Sequence, residues 1–142
     1  MLNKESKYAI RGVIYLAMNA SKTNKLGSKE VGEKIQVPLP FLAKIFQHLS
    51  KEGLISSAKG PRGGFYLTNT QLSGNLLSII ARIDGLDSFK TCFLGLPSCS
   101  DDNPCAIHHL NAEFRERMLS ELNKRSIAEF AADAISGKST IF

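Results

Sequence analysis

All three cysteines of this 142-residue chain, Cys92, Cys99 and Cys105, fall within fourteen residues, with six residues in the first gap and five in the second. His108 follows three places after the last. The residues between them include Gly95, Pro97, Ser98, Ser100, Asp101, Asp102, Asn103 and Pro104, which favour turns and sustain neither helix nor strand. The chain must therefore break here into a loop, and a turning loop lets several side chains converge on one point, as a metal site requires. The N-terminus Met1-Leu2-Asn3-Lys4-Glu5 does not lead into a signal-peptide core with a small-residue cleavage site. The expected compartment is thus the cytoplasm, where thiols stay reduced and clustered cysteines point to metal or redox chemistry before disulfides. The plainer alternative, three small buried hydrophobes, conflicts with their setting among Gly, Pro, Ser and Asp.

Charge divides the chain. Residues 1–70 hold eleven Lys and Arg against four acids, and residues 71–142 hold seven against nine, so a net +5 resolves into +7 and −2. A basic first half suggests a polyanionic partner, and a near-neutral second half suggests a different task. No run of eighteen apolar residues occurs, so no membrane-spanning helix and no membrane partner are expected.

Apolar residues at 9, 10, 13, 14, 16, 17, 18 and 20 predict a largely buried helix from Tyr8 to Ala20, with Lys7 and Arg11 at its wet end. Ser28 offers an N-cap for a short second helix through Ile35. Pro38 disfavours helix at Val37 and makes a tight break. Phe41, Leu42, Ile45, Phe46 and Leu49 then follow at helical spacing, Lys44, Gln47, His48 and Lys51 occupy the remaining faces, and Gly53 supplies the stop. Two short helices with a tight turn, the second bearing a basic outer face, match a helix-turn-helix. Leu54–Ala58 and Phe65–Thr68 read as strands joined by Lys59-Gly60-Pro61-Arg62-Gly63-Gly64, a wing whose glycines permit close approach to phosphate and whose Arg62 suits a narrow minor groove. That turn lacks the G-x-x-x-x-G-K-[ST] spacing of a nucleotide loop. Leu76 to Ile83 forms a short apolar helix. After the cysteines, Ile107, Leu110, Phe114, Met118 and Leu122 predict an amphipathic helix suited to pairing with a second copy. Ser126 to Ile135 reads as a last short helix.

The wing Gly60-Pro61-Arg62-Gly63-Gly64-Phe65-Tyr66-Leu67, the helix Leu39-Pro40-Phe41-Leu42-Ala43-Lys44-Ile45, the opening Ser6-Lys7-Tyr8-Ala9 and the cysteine loop together resemble the Rrf2 family of bacterial transcription regulators, over about residues 2–135. The resemblance implies a mainly α fold with a small β-hairpin wing: a winged helix-turn-helix domain plus a long dimerisation helix. It assigns residues 1–84 to DNA binding, 85–108 to a cysteine cluster-binding loop, 109–135 to the dimerisation and C-terminal helices, and 136–142 to a loose tail. It also names the cofactor, an iron–sulfur cluster of [2Fe-2S] or [4Fe-4S] type, which spacing alone does not separate from zinc. By position Cys92, Cys99 and Cys105 match the family's cluster cysteines and His108 its histidine ligand. Glu5 is a secondary candidate, from the same chain or from the partner subunit, because some relatives recruit an acid near the N-terminus. His109 points about 100° away from His108 on a helix and ranks lower. The first gap of six residues departs from the best-known cluster sensors, which have five, and leaves the cluster type open.

The expected function is that of a cytoplasmic, homodimeric transcriptional regulator whose operator affinity is controlled by the cluster, with double-stranded DNA as partner and no catalysis. Ser28 and Lys29 are expected at the DNA backbone, and Lys44, Gln47, His48 and Lys51 in the major groove or on its phosphates. Lys59 and Arg62 belong to the wing. Gln47 is the expected base reader, through adenine. Ala43 suits a thymine methyl or simple helix filling, and Tyr8, Phe41, Phe46 and Phe65 are expected to be structural. Zinc held by Cys₃His, bare redox thiols and an electron-transfer protein are the competing readings.

Overall fold

The computed structural model describes residues 2–142. Its first helix, α1 (Lys4–Asn19), starts a turn earlier than apolar periodicity predicts, because the Asn3 side chain caps it by accepting from the Ser6 N–H at 2.8 Å. Ser6, Ala9, Val13 and Leu16 recur at three- and four-residue steps and are fully buried, so α1 becomes the post against which α2, α3, α5 and α7 pack. Gly12 sets how closely: a Cβ there would lie 2.8 Å from Phe46 Cε1 and 3.1 Å from Leu42 Cδ1, distances that force something to shift.

Helix α2 (Ser28–Ile35) begins on Gly27 without a side-chain cap. Ser28 is thus the first helical residue, one place inside its expected cap position. The tight turn after α2 runs through Gln36, which adopts left-handed φ of 57° and lets Val37 N–H donate to the Gly32 carbonyl at 2.9 Å. Gly32 is required there, since a Cβ would sit 2.7 Å from the Val37 carbonyl oxygen. Helix α3 (Leu39–Lys51) accommodates Pro40 in its first turn and buries Leu42, Ile45, Phe46 and Leu49. Phe41, expected to be structural, is 46% exposed, with Lys4 Nζ 5.7 Å from its ring centroid, and stands outside this core.

Strands β1 (Ser56–Ala58) and β2 (Gly64–Tyr66) form the antiparallel wing, with Ser57 opposite Phe65. They are shorter than the apolar runs suggest, but Leu26 adds a bridge to Phe65 that ties the wing to the loop before α2. A short helix, α4 (Asn69–Leu72), follows under a capping box formed by Thr68 and Gln71. The Gln71 side chain also accepts from Ser56 Oγ at 3.0 Å and donates to the Gly53 carbonyl at 3.0 Å, pinning the base of the wing to the end of α3. Helix α5 (Leu76–Ile83), capped by Asn75, leads through a single 3-10 turn (Asp87–Lys90) to the cysteines. Helices α6 (His108–Lys124) and α7 (Ile127–Ile135) complete the chain.

Arg11 is not at a wet end. Its Nε donates to the Ile141 carbonyl at 2.9 Å and its Nη2 to the Ile35 carbonyl. The last residues therefore do not hang free: Ile141 packs on the core, and Phe142 meets Tyr15 edge-on with centroids 6.4 Å apart. The fold is a mainly helical winged helix-turn-helix with one two-stranded hairpin. Among the described residues no helix is long and apolar enough to cross a membrane.

Candidate nucleic-acid interface and metal centre

Of the basic residues in the first half, Lys44 and Lys51 lie on α3, Lys59 and Arg62 on the wing hairpin, and Lys29 and Lys34 on α2. Gln47, Lys51 and Lys59 line one cleft with Ser57, between the outer face of α3 and the hairpin. Ser50 Oγ donates to Ser57 Oγ at 2.7 Å across that cleft, holding helix and hairpin at a set separation. Arg62 is exposed at the hairpin tip, where Gly63 N–H donates to the Gly60 carbonyl at 2.9 Å. Lys29 borders a separate groove between α2 and the turn at Gln36, while Ser28 is half-buried beside it. Lys44 and His48 open onto the flank of α3 that faces α1 and α5, in a groove shared with Glu5 and Ile83. His48 Nε2 lies 3.1 Å from the Arg82 carbonyl, so this ring is already engaged at the end of α5. Ser57 was not among the expected contacts, because nothing in a lone strand serine marks the cleft it lines.

The second site is built by turns. Gly95 takes φ of 73° and its N–H donates to the Cys92 carbonyl at 2.9 Å, and the Cys99 N–H donates to the Leu96 carbonyl at 3.3 Å. Ser100 and Asn103 exchange backbone hydrogen bonds at 3.1 Å, and His108 N–H reaches the Cys105 carbonyl at 3.1 Å as α6 begins. These turns bring the sulfurs of Cys92, Cys99 and Cys105 within 4.8 Å of one another. All three thiols are free and half-buried, with Cys92 and Cys105 Sγ 3.7 Å apart. His108 joins through Cys99, its Nδ1 3.2 Å from that sulfur, and its Nε2 is 2.8 Å from Asp101 Oδ1. Within one protomer Glu5 lies in the groove beside α3, and His109 is exposed, its ring edge-on to His108 at 5.3 Å.

Electrostatics divides the thiols. The Leu96 backbone N–H, aided by that of Leu94, lowers the Cys92 thiol from 9.0 to about 7 against the opposing effect of burial. Cys99 is pulled down by the Cys105 backbone N–H, but burial and the neighbouring sulfurs outweigh this and its thiol is raised. Asp101 is held below the ordinary carboxylate value, first of all by the hydrogen bond from His108. Three convergent soft donors, one of them ready to ionise near neutral pH, suit a thiophilic metal or an iron–sulfur cluster. Backbone N–H groups aimed at sulfur are the environment that thiolate ligation needs.

A family model described as Rrf2, iron-dependent transcriptional regulator, matches residues 2–133. The chain is 35% identical over 114 residues to a protein of Aquifex aeolicus (strain VF5) assigned as an HTH-type transcriptional regulator, covering 79% of this chain and 78% of that one. It is 28% identical over 128 residues to the HTH-type transcriptional regulator IscR of Klebsiella pneumoniae (strain 342), covering 90% and 77% of the two. Among solved structures, CymR, the global cysteine regulator of B. subtilis, superposes with a TM-score of 0.71 at 17% identity, covering 93% of this chain and 96% of that one. The relatives are transcriptional regulators and not enzymes. This chain, with its winged helix-turn-helix and its cysteine loop, belongs to the Rrf2 family of transcriptional regulators.

Proposed function

We propose that the operator affinity of this regulator is controlled by an iron–sulfur cluster held by Cys92, Cys99, Cys105 and His108. The observation that carries the reading is the convergence of three free thiols within 4.8 Å, with the His108 ring against one of them. Similarity to IscR regulators supports it. A cluster bound there would supply one-electron redox chemistry and sensitivity to iron supply and nitric oxide. Ligation by one histidine would raise its potential relative to four thiolates.

The chain's own part is transmission. Residues 92–107 are half-buried or exposed throughout, so their arrangement depends on what cross-links them. Helix α6 begins at His108 and packs on α5, which in turn packs on α3. A change of order in the loop therefore shifts the population of recognition-helix positions, provided the ligated group binds one arrangement several kcal/mol better than the other. In this reading Gln47, Lys51 and Lys59 meet DNA across the wing cleft, Arg62 enters the minor groove, and Ser28, Lys29 and Lys44 meet phosphates. His48 contributes after leaving the Arg82 carbonyl or by positioning α3. Leu110 and Phe114 on α6, 69% and 48% exposed, form with Phe93 an apolar face that a second copy covers in a homodimer. The regulator works in the cytoplasm.

The test is an anaerobic visible spectrum with iron and sulfide analysis on fresh protein and on Cys99→Ala, beside duplex-DNA binding in each state. Broad visible absorption that Cys99→Ala abolishes, with altered operator affinity, supports the proposal. Colourless protein that gains no sulfide on anaerobic reconstitution overturns it. Unfolding by chelator would then favour zinc, and diamide-sensitive DNA binding would favour bare thiols. A cluster-loaded protein with no affinity for duplex DNA at low salt would favour an electron carrier.

A further inference from the structure

A histidine ring has two faces to offer a ligand, and its terminal torsion is broad and nearly two-fold, so packing alone rarely decides which edge points inward. At His108 the decision is made from outside the sulfur trio. The turn closed by Ser100 and Asn103, and braced by Asn103 Nδ2 on the Ser98 carbonyl at 3.0 Å, carries Asp101 at its tip. Asp101 Oδ1 sits 2.8 Å from His108 Nε2, although the Asp101 side chain is 95% exposed and that of His108 only 13% exposed. An exposed carboxylate is well solvated without a protein partner, so the contact serves the ring more than the acid. A carboxylate only accepts, so Nε2 must carry the proton. In the neutral ring the lone pair is then on Nδ1, which faces the Cys99 sulfur at 3.2 Å. Rotating the ring by half a turn would put a carbon against the sulfurs and break the bond to Asp101.

We propose that Asp101 is a positioning residue for the cofactor site, holding the His108 ring so that Nδ1 is the atom presented to whatever Cys92, Cys99 and Cys105 bind. As applied to an iron–sulfur cluster, this rests on the reading under Proposed function. The orientation of the ring does not. Outer partners of this kind raise the basicity of a ligating imidazole, and their removal costs about 10- to 100-fold in metal affinity. The pairing is absent from any sequence motif, because an acid seven residues before a histidine has no periodic meaning.

The experiment has two arms on the full-length protein. In the metal-free arm, nitrogen-15 NMR of the imidazole reads the Nε2–H signal. Wild type should show a hydrogen-bonded, slowly exchanging proton, Asp101→Ala should lose it, and Asp101→Asn, whose amide oxygen still accepts, should keep part of it. In the loaded arm, anaerobic loss of absorbance to a chelator should run about tenfold faster in Asp101→Ala than in wild type. That acceleration should vanish in a His108→Cys background, where no ring remains to orient. The proposal is overturned if Asp101→Ala leaves both the imidazole signal and the loss rate unchanged, or if it accelerates loss equally in the His108→Cys background. If wild type takes up no iron and sulfide, the cluster reading fails, and the imidazole signal alone decides for or against Asp101.

Discussion

Phe46, Leu42, Leu49 and Ile55 in the winged half are sealed from solvent, whereas every residue from 92 to 107 keeps some exposure. The first region is held by apolar burial, which is indifferent to direction and tolerates the loss of an outer contact. The second is held by backbone turns and by three thiols and a ring that meet at a point. A region with little burial gains most of its order from whatever binds to it. The difference sets a densely packed half beside a loop whose order rests on few buried contacts.

Substituting the core should give the largest effect. Phe46 is fully buried and meets Phe65 at 5.1 Å between centroids, so Phe46→Ala should cost about 3–5 kcal/mol, read as a lower urea midpoint, and DNA binding should fall with it. An exposed loop residue such as Leu94 (53% exposed) should, when changed to Ala, move stability by less than about 0.5 kcal/mol. Equal losses at the two sites would dissolve the comparison.

Arg11 sharpens it, since it belongs to the stable half yet works through polar contacts. Its guanidinium ties the ends of α2 and the chain through the Ile35 and Ile141 carbonyls. Arg11→Met should cost about 1.5–3 kcal/mol, the range for hydrogen bonds to a charged group. Deleting residues 138–142 in the Arg11→Met background should cost less than in wild type, measured by thermal unfolding.

Charge on the wing should leave folding untouched. Arg62→Ala should flatten the log–log salt dependence of DNA binding by about 0.9 without shifting the unfolding midpoint, since Arg62 is exposed. An unchanged slope would remove Arg62 from the phosphate and groove contacts.

The smallest effect concerns the metal-free loop. Cys92, lowered from 9.0 to about 7, is roughly half thiolate at pH 7, against about 1% for a thiol left at 9.0. The lower intrinsic nucleophilicity of such a thiolate removes about tenfold of that gain. Iodoacetamide should therefore modify Cys92 about fivefold faster than an ordinary thiol at pH 7, with Cys99, raised, slower still. Because protonation removes the nucleophile, the Cys92 rate should fall as pH drops from 7 to 6, as peptide mapping by mass spectrometry would show. A uniform rate at all three cysteines would mean the loop turns do not persist without a ligand.

What could be read from the sequence was whatever depends on neighbours in the chain. The helix pair, the wing and the apolar stripe of α6 follow from periodicity and from Gly and Pro. The short helix α4 was also within reach, through the Thr68–Gln71 capping box, yet its four residues carry too little apolar pattern to stand out. The gathering of Cys92, Cys99 and Cys105 was legible because turn-forming residues surround them.

Tertiary structure alone decided where the long polar side chains go. Arg11 reaches partners 24 and 130 residues away, and His48 meets a carbonyl 34 residues away. Glu5 stands beside α3 and apart from the thiols, and Asp101 closes on His108 across a turn. Apolar periodicity encodes which face of an element is buried, because burial repeats with the helix or strand. A hydrogen bond between distant segments leaves no such repeat, and its partner is set only once the packed elements fix the distance and angle between them.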